Sequence, residues 1–220
     1  MTRNTSVKKH FDTVAKSYDY YKNKNSFYYD NLKKLLDKLI PKNKKVFEVG
    51  CGTGELLNHL RSKYGYGYDI SPEMVSISRQ KFSNSKNLTF STEWPKEKFD
   101  YIFMSDVIEH LESPKKTFSE IVKLMHEESI FICTMANPVW EPLLMIAELL
   151  NLKMPEGPHK RIAFGDLQSV MKSIGLKTIR HDYKLLVPIK IPILTSFANK
   201  YLEKALKKLA FIEYFVAVKA

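Results

Sequence analysis

The residues best suited to bind a ligand form a glycine-rich turn at positions 50–54. The turn reads Gly-Cys-Gly-Thr-Gly and lies between a short apolar run, 45–49, and a segment with helical spacing, 55–63. Glycine lets a ligand approach the backbone closely, and the first N–H groups of a helix attract polar or anionic groups. A strand, this turn and a helix in that order therefore predict a site for a nucleotide-like ligand.

Three kinds of nucleotide-like ligand compete for this turn. A phosphate-binding loop needs Gly-Lys-Ser/Thr at the helix start, and residues 50–57 do not supply it. A dinucleotide fingerprint needs a third glycine where this chain has Glu55, whose carboxylate would meet the pyrophosphate. Asp69 ends the next predicted strand 19 residues after Gly50, the distance at which a carboxylate accepts hydrogen bonds from ribose hydroxyls. The pattern favours an adenosyl ligand without phosphates.

The elements that must position this turn alternate between strands and helices. Strands are predicted at 45–49, 65–70, 87–90, 99–104, 129–135, 176–186 and 212–218, and helices at 10–40, 55–63, from 72 onward, 114–126, 139–152 and 166–174, with a second amphipathic helix within 189–209. Such alternation predicts an α/β protein whose mostly parallel sheet carries helices on both faces. Ligands of these sheets bind beyond the carboxyl ends of the strands.

Length and composition describe one compact domain. The chain has 220 residues, 44% apolar and 27% charged, which excludes a disordered chain and a disulfide-rich scaffold. Cys51 and Cys133 are expected to be reduced thiols, and no Cys/His spacing predicts a metal site. No signal peptide and no membrane-spanning apolar run is present in the sequence, so we expect a cytoplasmic protein.

The positive charge is concentrated at the two ends of the chain. The net charge is +11, and Lys and Arg outnumber Asp and Glu in residues 1–45 and 177–220 but not in residues 46–176. A basic surface suits nucleic acid, an anionic membrane or plain solubility. The charge alone leaves these three interpretations open.

Three segments resemble the class I S-adenosylmethionine-dependent methyltransferases, in particular small-molecule enzymes of the type 11 and quinone-biosynthesis kinds. Residues 46–54 look like the first motif of that family, residues 67–71 like the second, and residues 99–111 like the segment at its fourth strand. The resemblance implies a Rossmann-like, seven-stranded sheet of order 3-2-1-4-5-7-6 with the last strand antiparallel. It also implies S-adenosyl-L-methionine as cofactor.

The same resemblance implies how the chain is organised. A single methyltransferase domain would cover residues 1–220, with lid helices in 1–45, a cofactor-binding half in 46–136 and an acceptor-side half in 137–220. The acceptor-side half would carry two insertions, 138–164 and 187–209. The amino-terminal segment resembles a lid helix whose Tyr18 closes over the cofactor.

The resemblance also assigns cofactor-binding residues. Glu48 would order the turn or reach the amino group of the cofactor, Asp69 would take both ribose hydroxyls, and Ile70 and Met74 would pack on adenine. After the third strand, where relatives often carry an acidic residue, Thr92 and Glu93 compete for the adenine amine. The full implied set is Tyr18, Glu48, Gly50, Cys51, Gly52, Thr53, Gly54, Asp69, Ile70, Met74, Thr92, Glu93, Trp94 and Ser105.

Transfer of a methyl group from a sulfonium is an in-line displacement, so the protein must align the acceptor in a dry pocket and needs no metal. A hydroxyl acceptor generally needs a base within hydrogen-bond reach. The candidates are His110, His159, Asp106 and Glu109. His159 resembles a histidine near the acceptor hydroxyl in quinone-biosynthesis O-methyltransferases, so His159 and His110 are the predicted catalytic residues.

Two apolar segments, 140–150 and 187–194, predict a small, apolar or lipid-like acceptor, reached by a peripheral contact with a membrane surface. Enzymes that methylate base amines often carry Asn/Asp-Pro-Pro-Tyr/Phe after the fourth strand. Here Asn137-Pro138 follows the fifth strand instead, which disfavours nucleic acid as substrate. An RNA or protein methyltransferase and a catalytically silent cofactor-binding protein stay as alternatives. The acceptor atom (O, C or N) and the oligomeric state are not determined by the sequence.

Overall fold

The computed structural model describes residues 2–220, which form a seven-stranded sheet with helices on both faces. The strands are β1 (Lys45–Val49), β2 (Tyr64–Tyr68), β3 (Leu88–Ser91), β4 (Phe99–Ser105), β5 (Met125–Ala136), β6 (Leu176–Lys184) and β7 (Ile212–Lys219). The helices are α1 (Arg3–Lys24), α2 (Ser26–Leu39), α3 (Glu55–His59), α4 (Pro72–Lys81), α5 (Pro114–Lys123), α6 (Glu141–Leu149), α7 (Phe164–Ser173) and α8 (Leu194–Phe197). Short helical turns lie at Ile108–His110, Pro138–Trp140, Ala198–Leu202 and Lys207–Leu209.

The strand order is β3-β2-β1-β4-β5-β7-β6, which confirms the predicted topology. β1 pairs in parallel with both β2 and β4, and β7 runs antiparallel between β5 and β6. After β3 the chain crosses back and places β4 on the other side of β1. The loops that follow β1 and β4 therefore lie next to each other at the carboxyl edge of the sheet. A ligand site is expected at this switch point.

Adjacent residues of β1 show how the sheet divides the core. Val46 packs into a cluster with Leu36 of α2 and Leu57 of α3, whereas Phe47 packs into a cluster with Phe118 of α5 on the opposite face. Both β1 residues are fully buried. Because alternate side chains of a strand point to opposite faces, a strand buried on both faces must be apolar at consecutive positions.

Two predicted helices differ in the structure. The single helix predicted at 10–40 is two helices, because the backbone turns at Asn25, and the first of them begins at Arg3 with Thr2 as its cap. The amphipathic helix predicted within 189–209 is broken into α8 and two short helical turns. Among residues 2–220 no helix combines the length and the apolar character that crossing a membrane requires.

Candidate cofactor and acceptor site

The glycine turn after β1 has the backbone shape that its sequence requires. Gly50, Gly52 and Gly54 all have positive φ angles, of 73°, 51° and 83°. A Cβ atom at Gly50 would collide with the methyl groups of Val107, in the loop after β4. The N–H groups of Gly50 and Cys51 donate to the carbonyl of Tyr68 at 2.7 and 2.9 Å, which ties the turn to the end of β2. The three glycines therefore form a cradle at the carboxyl edge of the sheet.

Asp69 is joined to this cradle, as its spacing predicts. The Gly52 N–H donates to its Oδ2 at 2.7 Å and the Ser71 N–H to its Oδ1 at 2.9 Å. The residue is 7% exposed, and burial raises the pKa of its carboxyl to about 6, although both N–H donors favour the charged form. Each carboxylate oxygen retains capacity for a further hydrogen bond, as a ribose diol requires.

Glu48 presents an unsatisfied polar atom to the same region. The residue is 2% exposed, and its Oε2 has no hydrogen-bond partner among residues 2–220. Burial raises the pKa of the Glu48 carboxyl to about 8, despite the nearby Lys22 ammonium. A buried carboxyl oxygen without a partner is unfavourable, and a cationic amino group would supply the missing donor. The glycine cradle, Asp69 and Glu48 thus fit an aminoacyl nucleoside.

Helix α1, the predicted lid, lies across the glycine turn, and its closure over the cofactor stays a prediction. The Tyr18 ring packs on Gly52, with a ring carbon 3.0 Å from the position that a Cβ atom would take. Two hydrogen bonds of 2.6 Å latch the helix: Thr53 Oγ1 donates to Asp19, and Ser71 Oγ donates to Asp12. The lid therefore contacts both the turn and the amino end of α4.

The other residues predicted to bind the cofactor divide into two groups. Met74 is buried and Ser105 has a buried hydroxyl without a partner, whereas Thr92 and Glu93 are exposed. Trp94 packs on Phe47 and Tyr68, with ring centroids 5.5 and 5.2 Å away, and Ile70 is half-buried. The competition between Thr92 and Glu93 for adenine stays open, and both assignments stay predictions.

Asp106 and Tyr28 form a polar pair on the acceptor side of the turn. Asp106 follows β4 with a φ of 55°, and the Tyr28 hydroxyl donates to its Oδ2 at 2.7 Å. Burial, together with the neighbouring Glu109 carboxylate, raises the pKa of Asp106. Tyr28 also packs edge-on against Phe211 at 5.3 Å, and Phe211 packs against Trp140 at 5.4 Å. Sequence reasoning listed Asp106 as a candidate base but missed Tyr28 as its partner.

The two predicted catalytic histidines lie together in loops on the same side. Their ring centroids are 6.4 Å apart, and His110 Nδ1 lies 3.0 Å from the carbonyl of Pro158. His159 Nδ1 lies 3.0 Å from the Gly157 carbonyl and its Nε2 lies 2.9 Å from Glu141 Oε1. Because both His159 nitrogens face acceptors, the ring is held as a donor on both sides, and its role as a base stays a prediction.

The pKa values of the two histidines are shifted in opposite directions. Burial lowers the pKa of His110, whereas at His159 the hydrogen bonds to Glu141 and Gly157 outweigh the effect of burial and raise the pKa. At any given pH the imidazolium form is therefore more populated at His159 than at His110.

Arg161 is a residue of this region that the sequence did not single out. Its guanidinium pairs with Glu109 at 3.0 Å, with Glu156 at 2.8 Å and with Glu141. Glu141, Glu156 and His159 also place ligand-type atoms together, but both carboxylates already pair with Arg161. The cluster ties the loop after β4 to the segment between α6 and α7.

This sheet order, with a carboxylate bound to a glycine turn at the switch point, defines a class I S-adenosylmethionine-dependent methyltransferase. The chain belongs to the methyltransferase family, since a family model described as "Methyltransferase domain" matches residues 20–181. Its cofactor is S-adenosyl-L-methionine. The assignment of Gly50–Gly54, Asp69 and Glu48 as the residues that bind it stays a prediction, which their geometry fits.

Three curated relatives are similar to the chain. An uncharacterized protein of Methanocaldococcus jannaschii is 30% identical over 190 residues, which cover 81% of this chain and 71% of that protein. Malonyl-[acyl-carrier protein] O-methyltransferase 1 of Ilyobacter polytropus is 28% identical over 54% of this chain, and the chain spans 47% of its length. The ubiquinone biosynthesis O-methyltransferase of Pasteurella multocida is 24% identical over 53% of this chain and 57% of that enzyme.

Two solved structures share the fold. A SAM-dependent methyltransferase from Thermotoga maritima superposes with a TM-score of 0.72 at 16% identity, over 97% of this chain and all of that one. The magnesium protoporphyrin IX methyltransferase of Synechocystis with bound SAH has a TM-score of 0.65 at 17% identity, over 99% of this chain and 100% of that one. At these identities the likeness concerns the fold.

Proposed function

We propose that this methyltransferase methylates a hydroxyl of a small, apolar or lipid-like acceptor by direct displacement. The observation that carries the proposal is the Asp106–Tyr28 pair at the end of β4, backed by the rings of Phe211 and Trp140. A carboxylate positioned by a phenol provides a base, and aromatic walls favour an apolar acceptor over a highly charged one.

Each residue of the site has a separate task in this reaction. The cofactor supplies an electrophilic methyl group on sulfur. Asp69 orients the ribose, Glu48 holds the amino group, and Tyr18 on the lid excludes water from the glycine turn. Asp106 accepts the proton of the acceptor hydroxyl as the oxygen attacks, and Tyr28 holds the Asp106 carboxylate in place.

The surroundings of the site support an apolar acceptor. Helix α6 follows β5, and the segment 187–209 connects β6 to β7, so both segments start from the carboxyl edge where the glycine turn lies. No residue of α6 is buried, although most of its side chains are apolar. Two of the relatives are O-methyltransferases by name and another is an N-methyltransferase, so the choice of oxygen rests on the Asp106–Tyr28 pair.

The test is transfer of a labelled methyl group from S-adenosylmethionine to a cell extract that is separated into lipid, small-molecule, RNA and protein fractions. We expect label in the lipid or small-molecule fraction, and loss of that label in Asp106→Asn. The exposed Asp166→Asn serves as the matched control, because Asp166 makes no side-chain hydrogen bond within the described chain. Label confined to RNA or protein would replace this proposal by one of the macromolecular alternatives.

A further inference from the structure

The exposed apolar side chains of this protein are concentrated in two segments. Apart from Tyr20 and Ile179, every large, strongly exposed hydrophobic residue in the described range 2–220 lies in 139–152 or 189–209. Single exposed hydrophobic residues are ordinary on protein surfaces, whereas a contiguous group marks an interaction site. We call the two segments together the apolar edge.

The first segment contains α6, a helix with an unpartnered apolar surface. Leu149 is 81% exposed, and Leu143, Met145 and Ile146 are also exposed. The two carboxylates of the helix are both engaged by cations: Glu141 pairs with Arg161, and Glu148 pairs with Lys153 at 3.4 Å. The charges of α6 are therefore neutralised within the protein, and its apolar side chains face outward.

In the second segment two uncharged polar side chains bond the backbone of the protein, while apolar side chains are exposed. Asn199 bonds both the N–H and the carbonyl of Val187, at 2.8 and 3.1 Å, and Thr195 Oγ1 bonds the Ile189 carbonyl at 2.7 Å. Ile193 is 87% exposed and has a φ of 64°, a conformation that a β-branched residue rarely adopts. Phe197 is 52% exposed. In a loop that faces water, apolar side chains are usually turned inward, whereas here they are exposed.

Direct hydrogen bonds join the two segments into one surface. The Trp140 indole N–H donates to the Leu209 carbonyl at 2.8 Å, and the Asn137 amide donates to the carbonyls of Lys208 and Ala210 at 2.9 Å. Trp140 lies at the junction. The two segments of the apolar edge are therefore joined at Trp140, which packs on Phe211 beside the proposed acceptor site.

The charges of the apolar edge identify its occupant. Lys190, Lys200, Lys204 and Lys208 are exposed, and none of them forms an ion pair with another part of the described chain. Exposed apolar side chains mixed with unpaired ammonium groups match a bilayer that offers acyl chains below anionic headgroups. We propose that the apolar edge docks on an anionic phospholipid surface, an inference that rests on and deepens the proposed function because it would present a lipid-like acceptor to the site.

The test is cosedimentation of the full-length protein with vesicles of phosphatidylcholine, with and without phosphatidylglycerol. We expect binding to the mixed vesicles at least about tenfold stronger than to the neutral ones, weakening as salt is raised. Ile193→Ser with Phe197→Ser should lower binding about tenfold or more. Ile179→Ser is the matched control, since Ile179 is 54% exposed on β6 outside the apolar edge, and should leave binding unchanged.

The lysines are tested separately by Lys200→Gln and Lys204→Gln. Each should weaken binding to the mixed vesicles about fivefold and leave binding to neutral vesicles unchanged. Equal binding to both kinds of vesicle, or equal loss in Ile179→Ser and in the Ile193/Phe197 double variant, would overturn the proposal.

The depth of docking is read from Trp140. The only other tryptophan of the chain is Trp94, and Trp94→Phe removes it. Quenching of the remaining tryptophan fluorescence by lipids with brominated acyl chains then reports on Trp140 alone. We expect strong quenching. Absence of quenching would overturn the proposal. A dimer in sedimentation equilibrium without vesicles, abolished by the double variant, would make the surface an interface between copies instead. Since docking needs no turnover, vesicle binding by a protein that transfers no label to the lipid or small-molecule fraction would refute the proposed function alone.

Discussion

The backbone N–H of Gly52 donates a 2.7 Å hydrogen bond to the carboxylate of Asp69, so the turn after β1 and the end of β2 form one unit. The bond joins the two features that the sequence offered as a nucleoside site. It also aligns the carboxylate beside the cradle before any ligand binds, which lowers the ordering cost of binding.

Asp69→Asn should weaken the binding of S-adenosylmethionine about 100-fold, which equals about 3 kcal/mol of binding free energy. The reason is that an amide loses the charge-assisted hydrogen bonds to the ribose hydroxyls. Calorimetric titration with the cofactor and with its demethylated product measures this. Asp166→Asn, at an exposed position, should bind as the unmodified protein does. Equal affinity in Asp69→Asn would place the ribose elsewhere.

Glu48→Gln should stabilise the ligand-free protein at pH 8 while weakening cofactor binding. The folded pKa, about 8, lies above the ordinary value of 4.5, so the folded state holds a proton that the unfolded state releases, and stability falls as pH rises from 4.5 through 8. Glutamine removes this loss, which we expect to be on the order of 2–4 kcal/mol at pH 8. Urea unfolding at pH 5 and pH 8 measures it, and a variant with an unchanged pH slope would contradict the pKa shift.

Three glycine-to-alanine variants separate backbone strain from steric collision. Gly165→Ala, in open space within α7, should stabilise by about 0.5 kcal/mol, and Gly175→Ala, with a φ of 78° and no close neighbour, should cost about 1 kcal/mol. Gly50→Ala adds the collision with Val107 and should cost more than about 2 kcal/mol. Thermal unfolding ranks the stabilities of the three variants. An equal loss of stability in Gly50→Ala and Gly175→Ala would show that the Val107 side chain moves aside and relieves the collision.

Arg161→Met should destabilise the protein by about 3 kcal/mol, because it leaves the carboxylates of Glu109, Glu141 and Glu156 without their shared cation. The control is Arg180→Met. Arg180 is 53% exposed and lies 3.7 Å from its partner Asp182, so its removal should change stability by less than about 0.5 kcal/mol. Urea unfolding of both variants tests this, and equal losses would mean that burial of the cluster is unimportant.

Asp106→Asn should remove the acidic limb of the rate profile for methylation of a hydroxyl acceptor. A base works when deprotonated, so the rate should rise with pH through the raised pKa of Asp106, above its ordinary 3.8. The Tyr28 hydrogen bond lowers that pKa, so Tyr28→Phe should move the limb to higher pH. If His159→Gln or His110→Gln abolishes the limb instead, the base is the histidine that the sequence predicted.

Local patterns in the sequence predicted much of the fold and the positions of the glycine turn and of Asp69. The apolar run of β1, the turn at 50–54 and the position of Asp69 each depend on neighbours close in sequence, and all three lie where they were predicted. The boundary at Asn25 and the broken segment at 189–209 were not predicted. Neither break is visible in the apolar periodicity: Asn25 makes no side-chain cap to the second helix, and Asn199 bonds the backbone of Val187, 12 residues away.

The acceptor side shows what only the tertiary structure decided. Tyr28 and Asp106 are 78 residues apart, and Arg161 reaches Glu109 across 52 residues. Neither pair has a sequence signature, because polar contacts between loops depend on how the strands bring those loops together and on the burial that makes each pairing necessary. The sequence by itself determined the class of cofactor through a rigid local turn. The geometry of the Asp106–Tyr28 pair and of the apolar edge arose when the chain folded, because long-range packing decided which polar groups were buried and which apolar groups stayed exposed.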